Sequence, residues 1–470
     1  MIPLVAFPEL VEHYAPFFAD VFSTEALIEF KRYISGLLIS ENKTVEGINR
    51  LCVCESRNQS SLNRLLTQSP FSLAGLDERR LALLASVPAT QMKCSGVMSL
   101  DDTLLTHYGQ HFEKIAYLWD HAQQRYTWAH NLVSLHYSDN ETDYPLNYQL
   151  WEPPDLEALE AGLEAAAVKL KASKYALKER APEKWRRYLL GVWRRHQSQP
   201  EVAQLYSGKL QIAEHLLAEW LRQHPDLRLP VTFDNWYTQP GFCHFLNDKL
   251  QLAYVGTLAP GDQLILKTGV ETLQDFAARL KQEHQDHVAT GRPPVFKPIS
   301  IPYKGQREHY YSYCATHQVR HFGKHRVVIN HHDADLSDPP LFLLANRLHW
   351  QAPGITRIRR HRWPIEVYYE EGKAEGLDQY QLRDFAAIQR HVALIAVVYS
   401  LLRTAQYDRA LRNSLQEQLK FELEGSAPFW RRATQAQSLW ALGLLIQAGL
   451  TQGQSLPSLM EPLLRAVCYA

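Results

Sequence analysis

The chain has 470 residues, and its 50 basic side chains (Lys and Arg) are balanced by 50 acidic ones. This length predicts two to four modules around at least one large hydrophobic core. The sequence has no run of about eighteen apolar residues, which argues against a membrane span. The balanced charge excludes a protein that is basic throughout, and the N-terminus shows no secretion signal, so we expect a cytoplasmic protein.

Residues 1–92 show helical periodicity and predict a helical N-terminal DNA-binding domain. Within them, "KTVEGINRLCVCESRNQSSLNRLL" predicts a helix, a break near Glu55 and Ser56, and a second helix. That second helix would expose Arg57, Asn58 and Asn63, whose side chains suit base edges and phosphates. The alternative is a plain helical hairpin without a role in recognition.

Residues 93–261 predict the first part of a catalytic domain. Three strands are expected in "CSGVMSLDDT", "YTWAHNLVSLHYS" and "YPLNYQLWE", and a fourth, "LRLPVTFDNW", ends at Asp234. A helix, "GFCHFLNDKL", and a strand, "LAYVGTLA", follow. The basic run 169–196 precedes the fourth strand and forms either a phosphate-facing surface or a solvated helix face.

Residues 262–350 are rich in strand patterns and predict a β-rich insertion, whereas the chain after Gly354 is helical. Residues 351–410 would complete the catalytic domain, and residues 411–470 would form a helical C-terminal region. The stretch "FAAIQRHVALIAVVYSLLR" is apolar enough to predict a core helix. The stretch that ends in "ALGLLIQAGL" predicts a second helix of this kind.

Acidic residues stand at the ends of the predicted elements: Asp101 and Asp102 after one strand, Asp234 after another, and Glu366 at a helix start. Carboxylates brought together at such ends are the ligands that Mg²⁺ or Mn²⁺ prefer. Two such ions about 4 Å apart support phosphodiester cleavage and transfer. The alternatives are a turn role for Asp234 and a surface ion pair for Glu366.

The stretch "HRWPIEVYYEEGK" predicts a helix that begins near Trp363, because Pro364 is tolerated only in a first helical turn. Arg362 would lie just before this helix, and Lys373 two turns after Glu366 on the same face. Two cations beside an acid suit phosphoryl transfer. Trp236 and Trp363 are interpreted as core aromatic residues.

The segments "DDTLLTHYG", "FDNWYTQPGF" and "RHRWPIEVYYEEGKAEGLDQYQLRDFAAIQRHVALIAVVYSLL" resemble the DDE transposases of bacterial insertion sequences. The similar group has a Y-x2-R-x3-E-x6-K signature and a β-rich insertion before the glutamate. The resemblance makes Asp102 the first catalytic acid, with Asp101 as the alternative, and Asp234 and Glu366 the other two. Arg362 and Lys373 fill the signature's basic positions, whereas Arg359 replaces its tyrosine and His107 stands where a lysine often follows.

The resemblance implies an α/β protein with an RNase H-like catalytic domain that is interrupted by a β-rich insertion and flanked by helical modules. It implies two Mg²⁺ or Mn²⁺ ions held by Asp102, Asp234 and Glu366, and phosphate contacts from Arg359, Arg362 and Lys373. The partners would be double-stranded DNA, as terminal inverted repeats and target DNA, and a second copy of the chain. The alternatives are an inactive DNA-binding regulator and a structure-specific nuclease on the same fold.

Overall fold

A computed structural model describes residues 2–53, 57–420 and 426–469. The N-terminal part of the chain is helical, and polar caps start most of its helices: the side chains of Ser23, Thr44, Asn58 and Ser72 each accept a backbone N–H. The predicted break at Glu55 and Ser56 lies outside the described residues. The helices are α1 (Glu9–Tyr14), α2 (Thr24–Ile39), α3 (Val45–Leu51), α4 (Gln59–Thr67) and α5 (Leu73–Ser86).

The centre of the molecule is a large mixed sheet. Its first strands are β1 (Val97–His107), β2 (Ala116–Asp120), β3 (Arg125–Ser138), β4 (Asp143–Trp151), β5 (Val231–Phe233) and β6 (Tyr254–Thr257). The later strands are β7 (Gln263–Leu266), β8 (Gly269–Thr272), β9 (Lys297–Tyr303), β10 (Gln306–Val319), β11 (Gly323–His331) and β12 (Leu341–Ala345). The prediction missed β2, whose pattern is short and partly exposed.

The strands follow the order β2-β3-β1-β5-β6-β12-β11-β10-β7-β8, with β4 paired to β3 and β9 paired to β10. β5 is parallel to both β1 and β6, so three parallel strands, of which β5 and β6 are short, occupy the middle of the sheet. The strands of residues 262–350 continue this same sheet, because β12 pairs antiparallel with β6. The strands before and after residue 262 therefore share one hydrogen-bonded layer.

Seven helices of residues 156–289 surround the sheet. They are α6 (Leu156–Ala165), α7 (Leu177–Arg180), α8 (Pro182–His196), α9 (Pro200–Ala203), α10 (Lys209–Gln223), α11 (Pro240–His244) and α12 (Leu273–Ala289). The basic run 169–196 includes α8, which buries Trp185 and Trp193 in a small core of its own. One face of this run is therefore structural, and its charges lie on the remaining surface. Helix α10 packs its apolar face against the sheet.

The last helices are α13 (Ala352–Arg360), α14 (Trp363–Ala374), α15 (Phe385–Ala405), α16 (Arg409–Leu419), α17 (Ala427–Thr451) and α18 (Leu456–Tyr469). The predicted core helix is confirmed as α15, which is buried along most of its length between the N-terminal helices and the sheet. Within the described residues it is also the one helix apolar and long enough to cross a membrane, and 78% of that window is buried inside the protein.

The second predicted core helix forms as α17, but its predicted burial is wrong. Leu439, Trp440, Leu444 and Leu450 are each more than 40% exposed. Apolar composition alone indicated a core here, because the sequence does not show that only one side of α17 packs against the body of the protein. The inner side includes the fully buried Trp430.

Candidate active site

The candidate site begins where β1 and β5 lie side by side. Leu100 pairs with Phe233 in the parallel register, so the next residues, Asp101 and Asp234, lie beside each other. Side chains alternate along a strand, and Ser99 and Thr232 precede the two acids on the same face of the sheet. The fold therefore brings together two aspartates that are separated by most of the catalytic segment.

The third acid comes from the start of α14. This helix begins at Trp363, as predicted, and has Pro364 and Glu366 in its first turn. Arg362 lies in the short junction between α13 and α14, and its guanidinium forms an ion pair with Asp101 Oδ2 at 3.1 Å and donates a hydrogen bond to Glu366. Arg362 thus joins the acid on β1 to the acid on α14.

A second guanidinium lies over the same cluster. Arg359 donates from Nε to the Thr257 hydroxyl at 2.9 Å, which holds it beside β6, the strand next to β5. Burial and the neighbouring Arg362 lower the pKa of Arg359 to about 10, whereas Glu366, Asp234 and Asp101 raise it. Arg359 is therefore within electrostatic reach of all three acids, and at neutral pH it remains charged.

Asp101 is the most desolvated of these acids. Its pKa is raised to about 7, mainly by burial; the Arg362 guanidinium opposes this shift, and Asp234 and Asp102 add to it. The Tyr369 hydroxyl donates to the Asp101 backbone carbonyl at 2.9 Å and fixes α14 against β1. A buried carboxyl group in this setting is stabilised in its charged form by any nearby cation.

Asp102, one residue further along β1, points to the opposite face of the sheet. Its carboxylate accepts hydrogen bonds from Lys209 Nζ at 2.9 Å, from the Tyr237 hydroxyl at 2.9 Å and from Asn131 Nδ2 at 2.6 Å. Lys209 is the first residue of α10, on the side of the sheet away from α14. The structure therefore brings Asp101, and not Asp102, to Arg362 and Glu366.

This geometry favours Asp101, the alternative, over Asp102 as the first acid of the cluster, and the choice between the two aspartates stays a prediction. Sequence spacing cannot decide which of two adjacent aspartates faces a distant helix, because the answer depends on the register of β1 against β5. Strand alternation would have decided it once that register was known.

Asp234 has two structural roles that its sequence neighbours explain. Its Oδ1 atom accepts the backbone N–H groups of Trp236 and Tyr237 at 3.0 and 3.2 Å, which is the turn-forming role that was considered as an alternative. Its charge also acts on Asp101. The turn and the cluster use the same carboxylate, so one role does not exclude the other.

The other predicted residues are more scattered. Lys373 is half-buried, and its charge opposes the rise that burial causes in the pKa of Asp378, so Lys373 interacts with the loop after α14. Asn58 caps α4, Asn63 is exposed on that helix, and Arg57 donates to Glu29 at 3.2 Å. Arg57 therefore does not stand on the exposed face of the second helix as predicted.

The two tryptophans interpreted as core residues are exposed. Trp236 is 41% exposed in the loop after β5, and Trp363 is 51% exposed at the start of α14. Each stands within three residues of one of the clustered acids, in a loop or first turn that borders the site. The sequence showed an aromatic residue in each place but gave no sign of which way the ring faces.

The donor set of the cluster fits a hard divalent cation, because it consists of carboxylate oxygens. Within the described ranges, no three His, Cys, Asp or Glu side chains are close enough together to form a group that could hold an ion. Arg362 lies between two of the acids and is their counter-charge. Carboxylates suited to a metal ion are therefore present, and the Arg362 guanidinium lies between Asp101 and Glu366.

Acids from three distant segments of the mixed α/β sheet and of α14 lie near two arginines, and carboxylates of this kind are what enzymes that act on phosphate esters with divalent ions use. A family model for DDE superfamily endonucleases matches residues 16–298, which is more than half of the chain. The chain belongs to this family, whose members are DNA-acting nucleases and transposases that generally use divalent metals. The match includes Asp101 and Asp234 and ends before Glu366. No protein of curated function matches the chain.

Proposed function

We propose that this protein is a DNA transposase of the insertion-sequence type. It binds the terminal inverted repeats of its element, cleaves the ends and joins the freed 3′-hydroxyls to target DNA. The observation that carries the proposal is the link made by Arg362 between Asp101 and Glu366, with Asp234 beside Asp101. Carboxylates held near one another are unfavourable unless a positive charge lies between them, and a bound divalent ion would supply that charge.

In this proposal the catalytic acids are Asp101, Asp234 and Glu366. Asp101 takes the role that the resemblance gave to Asp102, because Asp102 already accepts three hydrogen bonds on the other face of β1. The core is RNase H-like, with the strands of residues 262–350 as the insertion that precedes Glu366. The continuous pairing from β6 through β12 supports a rigid link between core and insertion.

The three acids would hold two Mg²⁺ or Mn²⁺ ions. When bound, these ions activate the attacking hydroxyl and stabilise the leaving oxygen of the phosphodiester. Arg362 must give up its contacts with Asp101 and Glu366 before both carboxylates are available. Released from them, its guanidinium is free to contact a phosphate, which is the role that the resemblance gives to this position.

Arg359 and Lys373 are the other proposed phosphate contacts. Arg359 lies at the cluster already, held by Thr257. Lys373 is two turns from Glu366 along α14, where its long side chain reaches DNA that enters past the helix. Asn58 and Asn63 on α4, with Arg57 beside them, are proposed to contact the inverted repeats.

A homodimer is proposed for the DNA complex, with α17 as the contact. No residue from Ala433 to Met460 carries a formal charge, so two copies can pair there without like-charge repulsion. The exposed leucines and Trp440 supply the apolar area. Replacing Leu439 and Leu444 with Glu should convert a dimer to a monomer in sedimentation experiments on the DNA complex. The protein would act in the cytoplasm, on the nucleoid.

The test is a cleavage and joining assay on DNA that carries the inverted repeats flanking the gene, with Mg²⁺ or Mn²⁺ supplied. A transposase gives cleaved ends and joined products, and Asp101→Asn, Asp234→Asn and Glu366→Gln abolish both while leaving DNA binding unchanged. Nicked DNA without joined products would favour a structure-specific nuclease. Binding without cleavage by the wild-type protein would indicate a regulator.

A further inference from the structure

Helix α8 carries a group of exposed cations for which the proposed function has no role. Residues 169–196 contain ten of the 50 Lys and Arg side chains but only two of the 50 acidic ones. The buried residues of α8 face its small core, and the opposite side exposes four basic side chains, here called the basic stripe: Lys184, Arg187, Arg194 and Arg195. Within the described residues, Glu183 pairs with Arg186 and no acid pairs with the stripe.

The physics of an isolated helix does not account for the basic stripe. The helix dipole favours cations in the last turn, which suits Arg194 and Arg195, but it disfavours Lys184 in the first turn. Lys184 and Arg187 are three residues apart, a spacing at which like charges repel. A solvated helix face usually alternates the two signs of charge. The stripe is therefore unfavourable in the free protein, and a bound polyanion would stabilise it.

Gly191 lies in the middle of the basic stripe. A glycine inside a helix makes that helix less stable than an alanine would. A Cβ atom at Gly191 would meet only the Arg195 guanidinium, at the ordinary contact distance of 3.5 Å. Packing within the described residues therefore does not require a glycine here, whereas a phosphate backbone that comes close to the helix would.

The basic stripe is held at a fixed place near the acids. The helices α6 to α9 leave the sheet after Trp151 and return at Lys209, which donates to Asp102. Trp151 Nε1 donates to the Tyr206 hydroxyl at 2.8 Å, and the Tyr206 ring packs edge-on against Trp193 of α8 at 4.9 Å. Tyr206 is three residues from Lys209, so their Cα atoms are at most about 11 Å apart. The end of α8 thus lies roughly within one turn of B-DNA from the acids.

The basic stripe and the N-terminal helices are attached to different faces of the sheet. Leu105 of β1 packs in the core formed by the N-terminal helices and α15, whereas Leu100, on the other face, packs with α10. Trp151 pairs with Asn131, which points to Asp102, so α8 is anchored on the α10 face. DNA bound by the N-terminal helices would reach the acids from the other side, so the stripe is placed for a second duplex.

We infer that the basic stripe of α8 binds the phosphate backbone of the target DNA, an inference that rests on the proposed function. Target DNA has no fixed sequence, and contacts from Lys and Arg to phosphates require none. The duplex lies along α8, and its backbone comes closest at Gly191. A face without a ligand and a surface that holds the element's own end are the alternatives that the test separates.

The experiment uses the full chain with Mg²⁺ and measures cleavage and joining separately. Cleavage is measured on duplexes that carry the inverted repeats flanking the gene. Joining is measured with the same duplexes supplied already cut, and a supercoiled plasmid serves as the target. Plasmid binding is measured without divalent ions over a range of salt concentrations, and a thermal melt of each protein checks its folding.

Two variants change the basic stripe, and one control removes exposed charges elsewhere. The stripe variant combines Arg187→Gln, Arg194→Gln and Arg195→Gln, all at exposed positions. The second variant is Gly191→Gln, which adds a side chain without a charge. The control combines three changes at exposed positions near the far edge of the sheet: Lys267→Gln, Arg320→Gln and Lys324→Gln.

The stripe variant should cleave ends at the wild-type rate and join them to the plasmid about tenfold more slowly. Three lost phosphate contacts should reduce the slope of log plasmid affinity against log salt by roughly three units. The control should match wild type in every measurement. Gly191→Gln should raise the melting temperature, because glutamine is the better helix former, and should still slow joining. A glycine needed only for folding would give a lower melting temperature instead.

Three results would contradict these expectations in different ways. Joining at the wild-type rate by the stripe variant would overturn the inference and leave the proposed function standing. Equal losses of cleavage and joining would assign the stripe to the element's own end, which also overturns the inference. A wild-type protein that neither cleaves nor joins would overturn the proposed function itself.

Discussion

Asp101 and Asp102 are the same residue type one peptide bond apart, and their surroundings are opposite. Asp101 faces α14, is strongly desolvated and shares Arg362 with Glu366. Asp102 faces α10 and accepts hydrogen bonds from an ammonium, a phenol and an amide. The Asp101 carboxylate is paired with the Arg362 guanidinium, which another cation can replace. The Asp102 carboxylate already accepts hydrogen bonds from three side chains. In the proposed function, this strand would therefore supply a ligand on one face and a supporting side chain on the other.

The largest effect is expected from removing the charge of each aspartate in turn. Asp101→Asn removes a proposed ligand and should reduce end cleavage on the order of 10³-fold, because charge stabilisation at the reacting phosphate is lost. Asp102→Asn keeps the shape of a supporting side chain and should reduce cleavage far less. The measurement is single-turnover cleavage with saturating Mg²⁺, alongside DNA affinity for each variant.

If Asp102→Asn abolishes cleavage while Asp101→Asn retains it, the roles of the two faces are reversed. The amide in each variant preserves side-chain volume, so unfolding is not the expected cause of any loss. A thermal melt of both proteins checks this. Asp234→Asn and Glu366→Gln serve as references, because both accounts of the first acid require them.

The face of β1 that carries Asp101 continues to His107, near the fully buried His391. His391 contacts the Tyr33 hydroxyl at 2.8 Å and the Gly376 carbonyl at 2.9 Å, and joins α2 to the chain after α14. Burial lowers the pKa of His391 to about 4, and His107 beside it is shifted to about 4 by burial and by His130 and His391. Both histidines are therefore neutral in the folded protein at pH values where unfolded histidine becomes charged.

In the folded protein the pKa of His391 lies below its unfolded value of 6.5. The stability that comes from keeping the ring neutral is therefore complete above pH 6.5 and is lost as the pH falls toward 4. As the pH falls through that window, the fully buried His391 should lower the free energy of unfolding by about 1.4 kcal/mol per pH unit. Burial raises the pKa values of Glu375 and Glu214, so these two groups make the free energy of unfolding fall as the pH rises, which is the opposite of the histidine effect. The difference between wild type and His391→Gln isolates the histidine, and equal slopes in denaturant titrations would contradict the prediction.

A smaller effect tests the counter-charges themselves. Arg362→Met removes the cation beside Asp101 and Glu366, so Mn²⁺ should bind the DNA-free protein about tenfold more tightly, since no guanidinium competes. Lys209→Met removes the cation beside Asp102 and is the matched control, which should leave Mn²⁺ affinity unchanged. Electron paramagnetic resonance of free Mn²⁺ gives both affinities. Tighter binding in Lys209→Met alone would assign the metal to the Asp102 face.

Much of this arrangement could be predicted from local sequence signals. Pro364 predicted the start of α14, and the uninterrupted apolar run predicted α15, because both depend on neighbouring residues. The mixed α/β class was implied by the family resemblance, and the mixture of strand and helix patterns agrees with it. The side of β1 to which Asp101 points, the exposure of Trp236 and the open side of α17 could not be predicted, since each depends on which distant segment covers a side chain. Lys209 carried no signal at all, being one lysine at a helix start.

The smallest predicted effect concerns Lys373, which lies on the same helix as Glu366 but interacts with Asp378. If it contacts a phosphate in the complex, Lys373→Ala releases one counterion fewer and the slope of log affinity against log salt should fall by roughly one unit on duplex DNA. Arg359→Tyr, which restores the tyrosine of the signature, should reduce the slope similarly and preserve some activity. Unchanged slopes in both variants, with cleavage intact, would confine these two residues to the fold and leave Arg362 as the basic residue that acts at the acids.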